Sequence, residues 1–452
     1  MLVGFSVSNY KSFKETQNIS FVASKIARHK EHYIVRGNRK VLKSGLIFGA
    51  NAGGKSNLIK AVDFSKKIIL NGLEQVNLNK KYFRISKEAY YKPGIFEYRI
   101  LIDNQEYSYG IVISYCQNEI ISEWLVKMGE HGEEICIYNR EVDELGNSRV
   151  TSDVSKDAKE ENIRMRIYLE DFSENISDTL RKKTILSDIA SRVNDKQGPF
   201  FEITRVYEWF DNIVVIFPES QYEALNDVAA ESEQRNFYTK VMSFFDTGIE
   251  EVTSQKQEMD FDKVLQFIPK EDAEKIKVKI SNDVSEHPIM LNINDQIYIL
   301  RKDKNGSIVY NKLLLNHGND EDLFEYSDES DGTRRLFDLI PILHDNRKNS
   351  VIFIDEIDRS LHTNLIKRFM RLYYETMKDE PCQLVVTTHD ANLMDLDLVR
   401  QDEIWFVKRQ EDHSSSIYSL NKYRERFDKK IDKEYLLGRY EAIPTFNELE
   451  LN

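Results

Sequence analysis

The sequence predicts an α/β protein with a mostly parallel sheet, an antiparallel N-terminal β-subdomain and a helical insertion. Three observations support this fold class. Apolar strand-like runs alternate with helical stretches after residue 283, strand-like runs of period two precede residue 145, and helical spacing prevails between them. Apolar strands that alternate with helices are typical of a parallel sheet covered on both faces.

Residues 1–145 are predicted to be rich in strands, with one helix after residue 56. Several candidate strands alternate apolar and polar residues, which indicates a half-exposed sheet. Residues 45–48 are instead apolar throughout, as expected of a strand covered on both faces. The candidate strands are 2–7, 19–22, 45–48, 96–102 and 107–113.

Residues 146–282 are predicted to form a helical insertion, because charge density rises and apolar residues recur at helical spacing. Two breaks interrupt the pattern, the dipeptide Gly198-Pro199 and a strand-like run at 213–218. No heptad pattern continues over several turns, which argues against a coiled-coil arm. The candidate helices are 163–169, 180–193, 206–210 and 237–245.

Residues 283–452 return to strands. A hairpin is predicted from strands 297–300 and 307–310, which flank Asn305-Gly306. Three apolar strands follow at 351–354, 384–388 and 404–407, with helices at 335–344 and 361–377 among them. This alternation predicts a mostly parallel sheet with helices on its faces.

Composition limits the function classes. The chain has 452 residues and a net charge of −13, which argues against a general nucleic-acid coat. The three cysteines lie far apart, and no C-x-x-C pair or Cys/His cluster indicates zinc. Few cysteines, no signal peptide at the N-terminus and no long apolar run predict a cytoplasmic protein without a membrane span.

Residues 49–56 read Gly-Ala-Asn-Ala-Gly-Gly-Lys-Ser, which matches the phosphate-binding pattern G-x-x-x-x-G-K-[ST] between a strand and a helix. Glycines let backbone N–H groups turn towards phosphate oxygens, and the helix N-terminus adds the positive end of its dipole. Lys55 supplies charge for the β- and γ-phosphates, and the Ser56 hydroxyl can ligate Mg²⁺. The predicted ATP-binding residues are Gly49, Asn51, Gly53, Gly54, Lys55, Ser56 and Asn57.

The apolar strand at 351–354 ends in two acids, Asp355 and Glu356. At a strand end Asp355 can orient Mg²⁺ together with Ser56, and Glu356 can accept a proton from the attacking water. Alone, such a strand end is more often a solvated edge. Together with the phosphate-binding loop it predicts a magnesium-dependent catalytic pair.

Two more segments are candidate phosphate contacts. Residues 330–333 form a Ser-x-Gly turn at a helix start, where Ser330 is either part of an anion site or an ordinary helix cap. His389 follows the strand 384–388, at the sheet edge where ligands of open α/β sheets bind.

In this order, these residues resemble the ABC-type ATPase heads of RecF, SMC and OLD proteins. The resemblance implies a Walker A loop at 49–56, a Walker B strand at 351–355 and a D-loop at 358–362 that includes Ser360 and His362. It makes Lys55, Glu356 and His389 the catalytic residues. Because the N-terminal sheet of such heads covers the nucleotide, the resemblance also places Lys11 and Ser12 where they would touch it, with a solvated turn between two strands as the equal alternative. It also implies a signature motif of Ser330, Gly332 and Thr333 that acts on the Walker A loop of a second subunit, hence a homodimer or higher oligomer.

Two departures from the ABC pattern stand out. The usual signature has two glycines after its serine, whereas Asp331 occupies the first of these positions. An acid beside a γ-phosphate would repel it unless its side chain turns away. No glutamine takes the Q-loop position, so none is assigned.

Residues 9–13, 329–333, 355–358 and 438–444 are more similar to the RloA/AriA group of prokaryotic anti-phage ATPases. This resemblance implies an ATP-driven sensor and switch with a phage-encoded trigger and a separate toxic effector, such as a nuclease. The stretch after His389 is too short for an added nuclease domain, so we expect the effector on another protein.

Two alternatives stay open. A RecF- or SMC-like repair or maintenance ATPase would clamp DNA, and basic runs at 36–43, 79–84 and 422–430 favour it, although solvated faces explain them as well. DNA-stimulated hydrolysis that falls steeply with salt would mark that function. A regulatory ATP-binding module with negligible turnover is the third reading, and phosphate release separates it from an ATPase.

Overall fold

The computed structural model describes residues 1–129, 132–154, 160–173, 176–193, 198–218, 232–258, 273–274, 289–293, 296–302, 308–344, 349–423 and 425–443. The chain divides into two compact units. The first comprises residues 1–218, 345–358 and 366–452, and the second comprises residues 219–344 and 359–365.

An antiparallel sheet in the first unit confirms the predicted N-terminal β-subdomain. Its strands are β1 (Leu2–Ser8), β2 (Gln17–Ser20), β6 (Gly94–Ile102), β7 (Gln105–Ser114), β8 (Glu119–Met128), β9 (Glu134–Val142) and β10 (Ser148–Thr151). Their order is β10-β9-β8-β7-β6-β1-β2. A separate hairpin joins β3 (Tyr33–Arg36) to β4 (Arg39–Leu42).

The second sheet of the first unit is mostly parallel, as predicted. Its strands are β5 (Ser44–Gly49), β11 (Ile213–Ile216), β17 (Val351–Ile354), β18 (Gln383–Thr387), β19 (Ile404–Arg409) and β20 (Ser415–Ser419). They follow the order β11-β17-β18-β5-β19-β20, and only the β19–β20 pair is antiparallel. Strands β5, β17 and β18 are buried along their whole length, which explains their continuous apolar sequences.

The described helices of the first unit are α1 (Lys55–Asn71), α2 (Glu160–Glu170), α3 (Asp178–Arg181), α4 (Ile185–Arg192), α5 (Gly198–Asp211) and α9 (Ile431–Leu436). Helix α8 (Thr363–Thr376) crosses the boundary between the units along the chain. The predicted helix 180–193 is two helices, because the Thr184 side chain accepts a hydrogen bond from the Ser187 N–H and caps a new start. Gly198-Pro199, predicted as a break, begins α5, where the fixed φ of proline suits a first turn.

Helix α1 packs in a continuous apolar core with the antiparallel sheet and α5. Leu58, Ile59 and Val62 are fully or almost fully buried there. The Tyr98 ring of β6 meets the Phe210 ring of α5 at a centroid distance of 4.9 Å, and its hydroxyl lies 2.6 Å from the Ser65 hydroxyl. This packing fixes the start of α1, and therefore the loop that precedes it.

The second unit contains a smaller antiparallel sheet and two of the described helices. Its elements are α6 (Ser232–Phe244), β12 (Glu251–Glu258), β13 (Ile289–Ile293), β14 (Gln296–Lys302), β15 (Ile308–Asn316), β16 (Phe324–Glu325) and α7 (Asp331–Leu339). Strands β14 and β15 pair antiparallel, as the predicted hairpin requires, while the Asn305-Gly306 turn lies outside the described residues. No described helix is long and apolar enough to cross a membrane.

Candidate functional site

The carboxyl ends of three neighbouring parallel strands meet at one edge of the sheet. Strand β5 runs into the glycine-rich loop, β17 runs into Asp355, and β18 runs into His389. The pairing of β18 with both β5 and β17 aligns Val386 with Leu46 on one side and with Ile354 on the other. Ligands of open α/β sheets bind at such an edge, and the sequence placed its candidates there.

The glycine-rich loop ends at the N-terminus of α1. Gly54 has φ +114°, a conformation that side-chain-bearing residues rarely adopt, and a Cβ there would collide with the Ser415 hydroxyl. Gly54 is also the N-cap residue, and no side chain caps the helix. Gly53 is buried, whereas Asn51 is exposed at the loop tip. The geometry leaves the dipole end of α1 for an anion, as the motif predicts.

Lys55 is the buried cation of this loop, with 4% of its surface exposed. Its Nζ donates to the carbonyl oxygens of Gly49 (2.8 Å) and Ala50 (3.2 Å). Burial lowers the pKa of Lys55 to about 8, against the opposing effect of the nearby acids, Asp355 first. A buried ammonium held by neutral carbonyls gains from an anion, so this lysine fits a phosphate group.

The lowered pKa of Lys55 predicts pH-dependent binding of Mg–ATP. The free site loses its proton as pH rises through about 8, whereas a bound triphosphate raises the pKa and restores the proton. Binding above that pH therefore takes up a proton, and affinity falls as pH rises. Calorimetry in buffers of different ionisation enthalpy should show increasing proton uptake above the pKa, and a constant affinity across it would contradict the prediction.

Asp355 and Glu356 are positioned by a residue to which the sequence analysis gave no role, Thr387. The Thr387 hydroxyl donates to Asp355 Oδ1 (2.6 Å) and accepts from the Glu356 N–H (2.8 Å). Asp355 is buried, Glu356 is half-buried, and Glu356 has φ +52°. A left-handed conformation at a non-glycine residue is retained only where its surroundings impose it, and such residues cluster at functional sites. Ser56 is half-buried on the first turn of α1.

His389 joins the site through Lys55. Its Nδ1 lies 3.3 Å from Lys55 Nζ, and its backbone N–H donates to Asp358 Oδ2 (3.0 Å). Burial, and then the charge of Lys55, lower the pKa of His389 below its ordinary value, so the ring is neutral at neutral pH. Because an ammonium only donates, Nδ1 accepts and Nε2 carries the proton. The exposed ring therefore offers one N–H donor.

The N-terminal turn lies against the loop at Ser12. The Ser12 hydroxyl accepts a hydrogen bond from Asn57 Nδ2 (2.8 Å), and the backbone carbonyl of Ser12 accepts one from the Ser415 N–H (2.7 Å). The Ser415 hydroxyl in turn donates to the Gly53 carbonyl (2.6 Å). The structure thus brings Ser12 and Asn57 together and adds Ser415, which no local pattern could reveal because it follows far along the chain.

Lys11 has other neighbours. Burial first, then the charges of Lys81 and Lys60, lower its pKa below the ordinary value. Its N–H donates to the Lys81 carbonyl (2.6 Å), and its φ is +50°. Three lysines therefore share one region beside α1, which is a concentration of positive charge in an acidic protein.

The second unit assembles the predicted signature turn. Ser330 caps α7, since its hydroxyl accepts from the Thr333 N–H (3.1 Å) and lies 2.9 Å from the Thr333 hydroxyl. Asp331 Oδ1 pairs with Arg334 (2.6 Å) on the same helix. The carboxylate at the unusual position therefore has a positive charge beside it on its own helix.

The predicted D-loop residues lie in the same unit. A Cβ at Gly332 would come within 2.8 Å of the Ser360 carbonyl oxygen, so only glycine permits this approach. Ser360 has φ +61°. His362 Nδ1 accepts from the Asn364 N–H (3.2 Å) just before α8, which is a capping contact. The packing of Ser360 against Gly332 couples the two predicted motifs.

The residues fit ATP and Mg²⁺ chemically. Lys55 and the uncapped N-terminus of α1 suit phosphate oxygens, and the Ser56 hydroxyl and the Asp355 carboxylate are oxygen ligands of the kind that Mg²⁺ prefers. When bound, Mg²⁺ supplies positive charge against the phosphates. The chain's own groups could bind and orient the phosphates and provide a carboxylate as a base.

A protein-family model described as "AAA domain, putative AbiEii toxin, Type IV TA system" matches residues 46–395. No curated protein is detectably similar to the chain in sequence. Among the solved structures that are similar to the chain are two SMC heads, both with low TM-scores. An SMC head bound to the C-winged helix domain of ScpA has a TM-score of 0.41 and 16% identity, covering 92% of this chain and 97% of that one. The SMC head domain from Thermotoga maritima has a TM-score of 0.36 and 14% identity, covering 92% and 98%.

Proposed function

The chain belongs to this AAA-domain family, and on that premise we propose that it is an ABC-clade ATPase that binds and hydrolyses Mg–ATP and acts as a molecular switch. The observation that carries the proposal is the convergence of Lys55, Asp355, Glu356 and His389 at one sheet edge. Lys55 lies within 3.3 Å of His389, and Thr387 bonds both Asp355 and Glu356. A phosphate grip, a metal-ligating acid, a carboxylate base and a polar donor are the groups that phosphoryl transfer requires.

In the proposed reaction, Lys55 and the N-terminus of α1 hold the triphosphate, and Asp355 and Ser56 are the magnesium ligands. Glu356 accepts a proton from the attacking water as the water oxygen bonds to the γ-phosphorus and the bond to ADP breaks. His389, neutral and protonated at Nε2, donates to a γ-phosphate oxygen. Thr387 is a positioning residue, because it holds both acids without touching substrate.

We extend the proposal to a composite site formed by two chains. Ser330, Gly332 and Thr333 of one chain would contact the ATP held by Lys55 of the other, so that two heads close on nucleotide. The exposed Ser330 hydroxyl at the N-terminus of α7 supports this assignment, since a helix N-terminus attracts an anion. Ser360, packed beside Gly332, would face the same seam.

Complementation between two inactive variants tests the composite site. Ser330→Asp retains a good N-cap residue but places a negative charge towards the triphosphate, so hydrolysis should be lost. Mixing it with Lys55→Ala chains should restore phosphate release, because one site of the mixed dimer pairs an intact loop with an intact signature.

Ser330→Asn is the matched control, since asparagine also caps a helix and adds no charge. It should retain much more hydrolysis than Ser330→Asp. If the mixture stays as inactive as its two components, the signature does not act between chains.

The cellular role that we infer is that of the sensor and switch subunit of an anti-phage defence system. The family description, which names a toxin and a type IV toxin–antitoxin system, supports such a context, as does the resemblance to the RloA/AriA group. A separate effector, such as a nuclease, would be held or released according to the nucleotide state. Co-purification with the neighbouring gene product in an ATP-dependent manner would test this role.

The second candidate, a DNA-clamping ATPase, is favoured by the grouping of Lys11, Lys60 and Lys81 beside α1. Such a cluster suits a phosphate backbone. Stimulation of hydrolysis by DNA, lost on raising salt, would favour this function over the defence switch.

A further inference from the structure

A second cluster of metal-ligating side chains lies away from the phosphate site, in the segment between β2 and β3. His29, Glu31 and His32 each present one ligand atom, and these three atoms lie within 4.8 Å of one another. Glu31 Oε1 is 3.4 Å from His29 Nδ1 and 3.7 Å from His32 Nε2. Ligands of a tetrahedral zinc ion, at about 2 Å from the metal, lie about 3.3 Å from each other. The two distances to Glu31 are therefore close to the spacing of zinc ligands, and small side-chain movements would bring all three atoms around one ion.

The local backbone produces this convergence. His29 has φ +51° and precedes a short 3-10 turn, Lys30–His32, in which the His32 N–H donates to the His29 carbonyl (3.2 Å). The turn places the His29 and His32 rings next to each other, with their centroids 4.7 Å apart. A left-handed histidine before so short a turn is uncommon, and here it aims two imidazoles at one carboxylate.

The outer nitrogen of each ring is already bonded. His29 Nε2 lies 3.0 Å from the Leu396 carbonyl oxygen, which can only accept, so Nε2 carries the proton. His32 Nδ1 lies 2.9 Å from Glu403 Oε2, a fully buried carboxylate. The other nitrogen of each ring, Nδ1 of His29 and Nε2 of His32, faces Glu31. Carbonyl and carboxylate partners on the far nitrogen are the usual second shell of histidine metal ligands.

The buried side of the cluster is rigid. His32 stacks on Tyr374 of α8, with ring centroids 3.5 Å apart and planes at 13°. Glu403 also accepts from the Ser44 hydroxyl (2.8 Å) and the Arg400 N–H (2.7 Å). These contacts hold the His32 ring and Glu403 in place before any ion binds.

We propose that His29, Glu31 and His32 form a binding site for a divalent first-row metal ion of the zinc type. Two imidazoles and one carboxylate select zinc or a similar ion over Mg²⁺ and Ca²⁺, which prefer oxygen ligands. Ser44, which bonds Glu403, begins β5, while the phosphate-binding loop follows its other end, about 16 Å away along an extended strand. The ion fastens residues 29–32 to the segment 396–403 and takes no part in phosphate chemistry.

Zinc titration of the full chain, stripped with chelator and free of nucleotide, tests the site by competition with a chromophoric chelator. The wild type should bind one Zn²⁺ here, and Glu31→Gln and His29→Asn should each weaken binding by at least about 10-fold, because losing a direct ligand costs no less than losing an outer-shell partner. Both positions are at least partly exposed, so the variants should fold. His413→Asn, an exposed histidine in another loop, is the matched control and should leave affinity unchanged.

X-ray absorption of the zinc-loaded chain provides an independent readout. It should show nitrogen and oxygen ligands, with imidazole scattering and no sulfur. Three results would each overturn the proposal: no zinc binding by the wild type, a zinc affinity in Glu31→Gln and His29→Asn equal to that of the wild type, or sulfur ligands of the metal. None of these results bears on ATP binding, which Lys55 serves at the other end of β5.

Discussion

Lys55→Ala is expected to abolish measurable binding of Mg–ATP. Lys55 is the buried cation at the mouth of the phosphate-binding loop, and its Nζ contacts two carbonyl oxygens and the neutral His389 ring. Truncating one partner of a buried charge pair costs about 2–5 kcal/mol, which is roughly thirty- to several-thousand-fold in affinity. Equilibrium binding of a fluorescent ATP analogue should therefore show the loss.

The fold itself should tolerate this substitution. The pKa of Lys55, lowered to about 8, means that burial disfavours its charged form in the free protein. Removing the ammonium therefore relieves a desolvation penalty while leaving two carbonyl groups without this donor. Thermal unfolding should shift little, and a large loss of stability would make the binding result uninterpretable.

Lys67→Ala is the matched control for Lys55→Ala. Lys67 lies on the same helix, is exposed, and pairs with Asp63 one turn earlier (2.7 Å). Surface pairs of this kind contribute little, so ATP affinity should not change. Unchanged affinity in Lys55→Ala as well would refute the assignment of the loop as a triphosphate site.

The parallel sheet and its site edge could be predicted because their signals are local. The continuous apolar runs of β5, β17 and β18 reflect burial on both faces, and each strand was predicted within a residue or two of its bounds. The loop at 49–56 lies within one strand–loop–helix unit, so its spacing contains all the information needed. Asp355 and His389 followed from their positions just beyond strand ends.

The residues that sequence reasoning missed act through contacts between distant segments. Thr387 is chemically ordinary within β18, and its role appears only when its hydroxyl meets Asp355 and the Glu356 N–H across the sheet. Ser415 supports Gly53 from a strand that follows far along the chain. His29 and His32 became metal-ligand candidates only once Leu396 and Glu403 fixed their rings. Periodicity and short motifs contain no information about such pairs.

Glu356→Gln is expected to bind Mg–ATP with near wild-type affinity and to hydrolyse it at least about a hundredfold more slowly, the usual contribution of a general base. The amide keeps the shape of the side chain but cannot accept the proton of the attacking water. The backbone contact of Glu356 with Thr387 and its left-handed conformation do not depend on the carboxylate. Single-turnover phosphate release should show the defect.

The same variant should accumulate closed dimers on ATP, because nucleotide that is not hydrolysed continues to join two heads. Sedimentation velocity with ATP should show the heavier species for Glu356→Gln and only a transient one for the wild type. Glu375→Gln, an exposed glutamate on α8, is the matched control and should hydrolyse normally. Normal turnover in Glu356→Gln would show that Glu356 is not the general base. Slow turnover without dimers would leave Glu356 as the base but contradict the site shared between two chains. The two measurements therefore test the chemistry of one head and the closure of two heads separately.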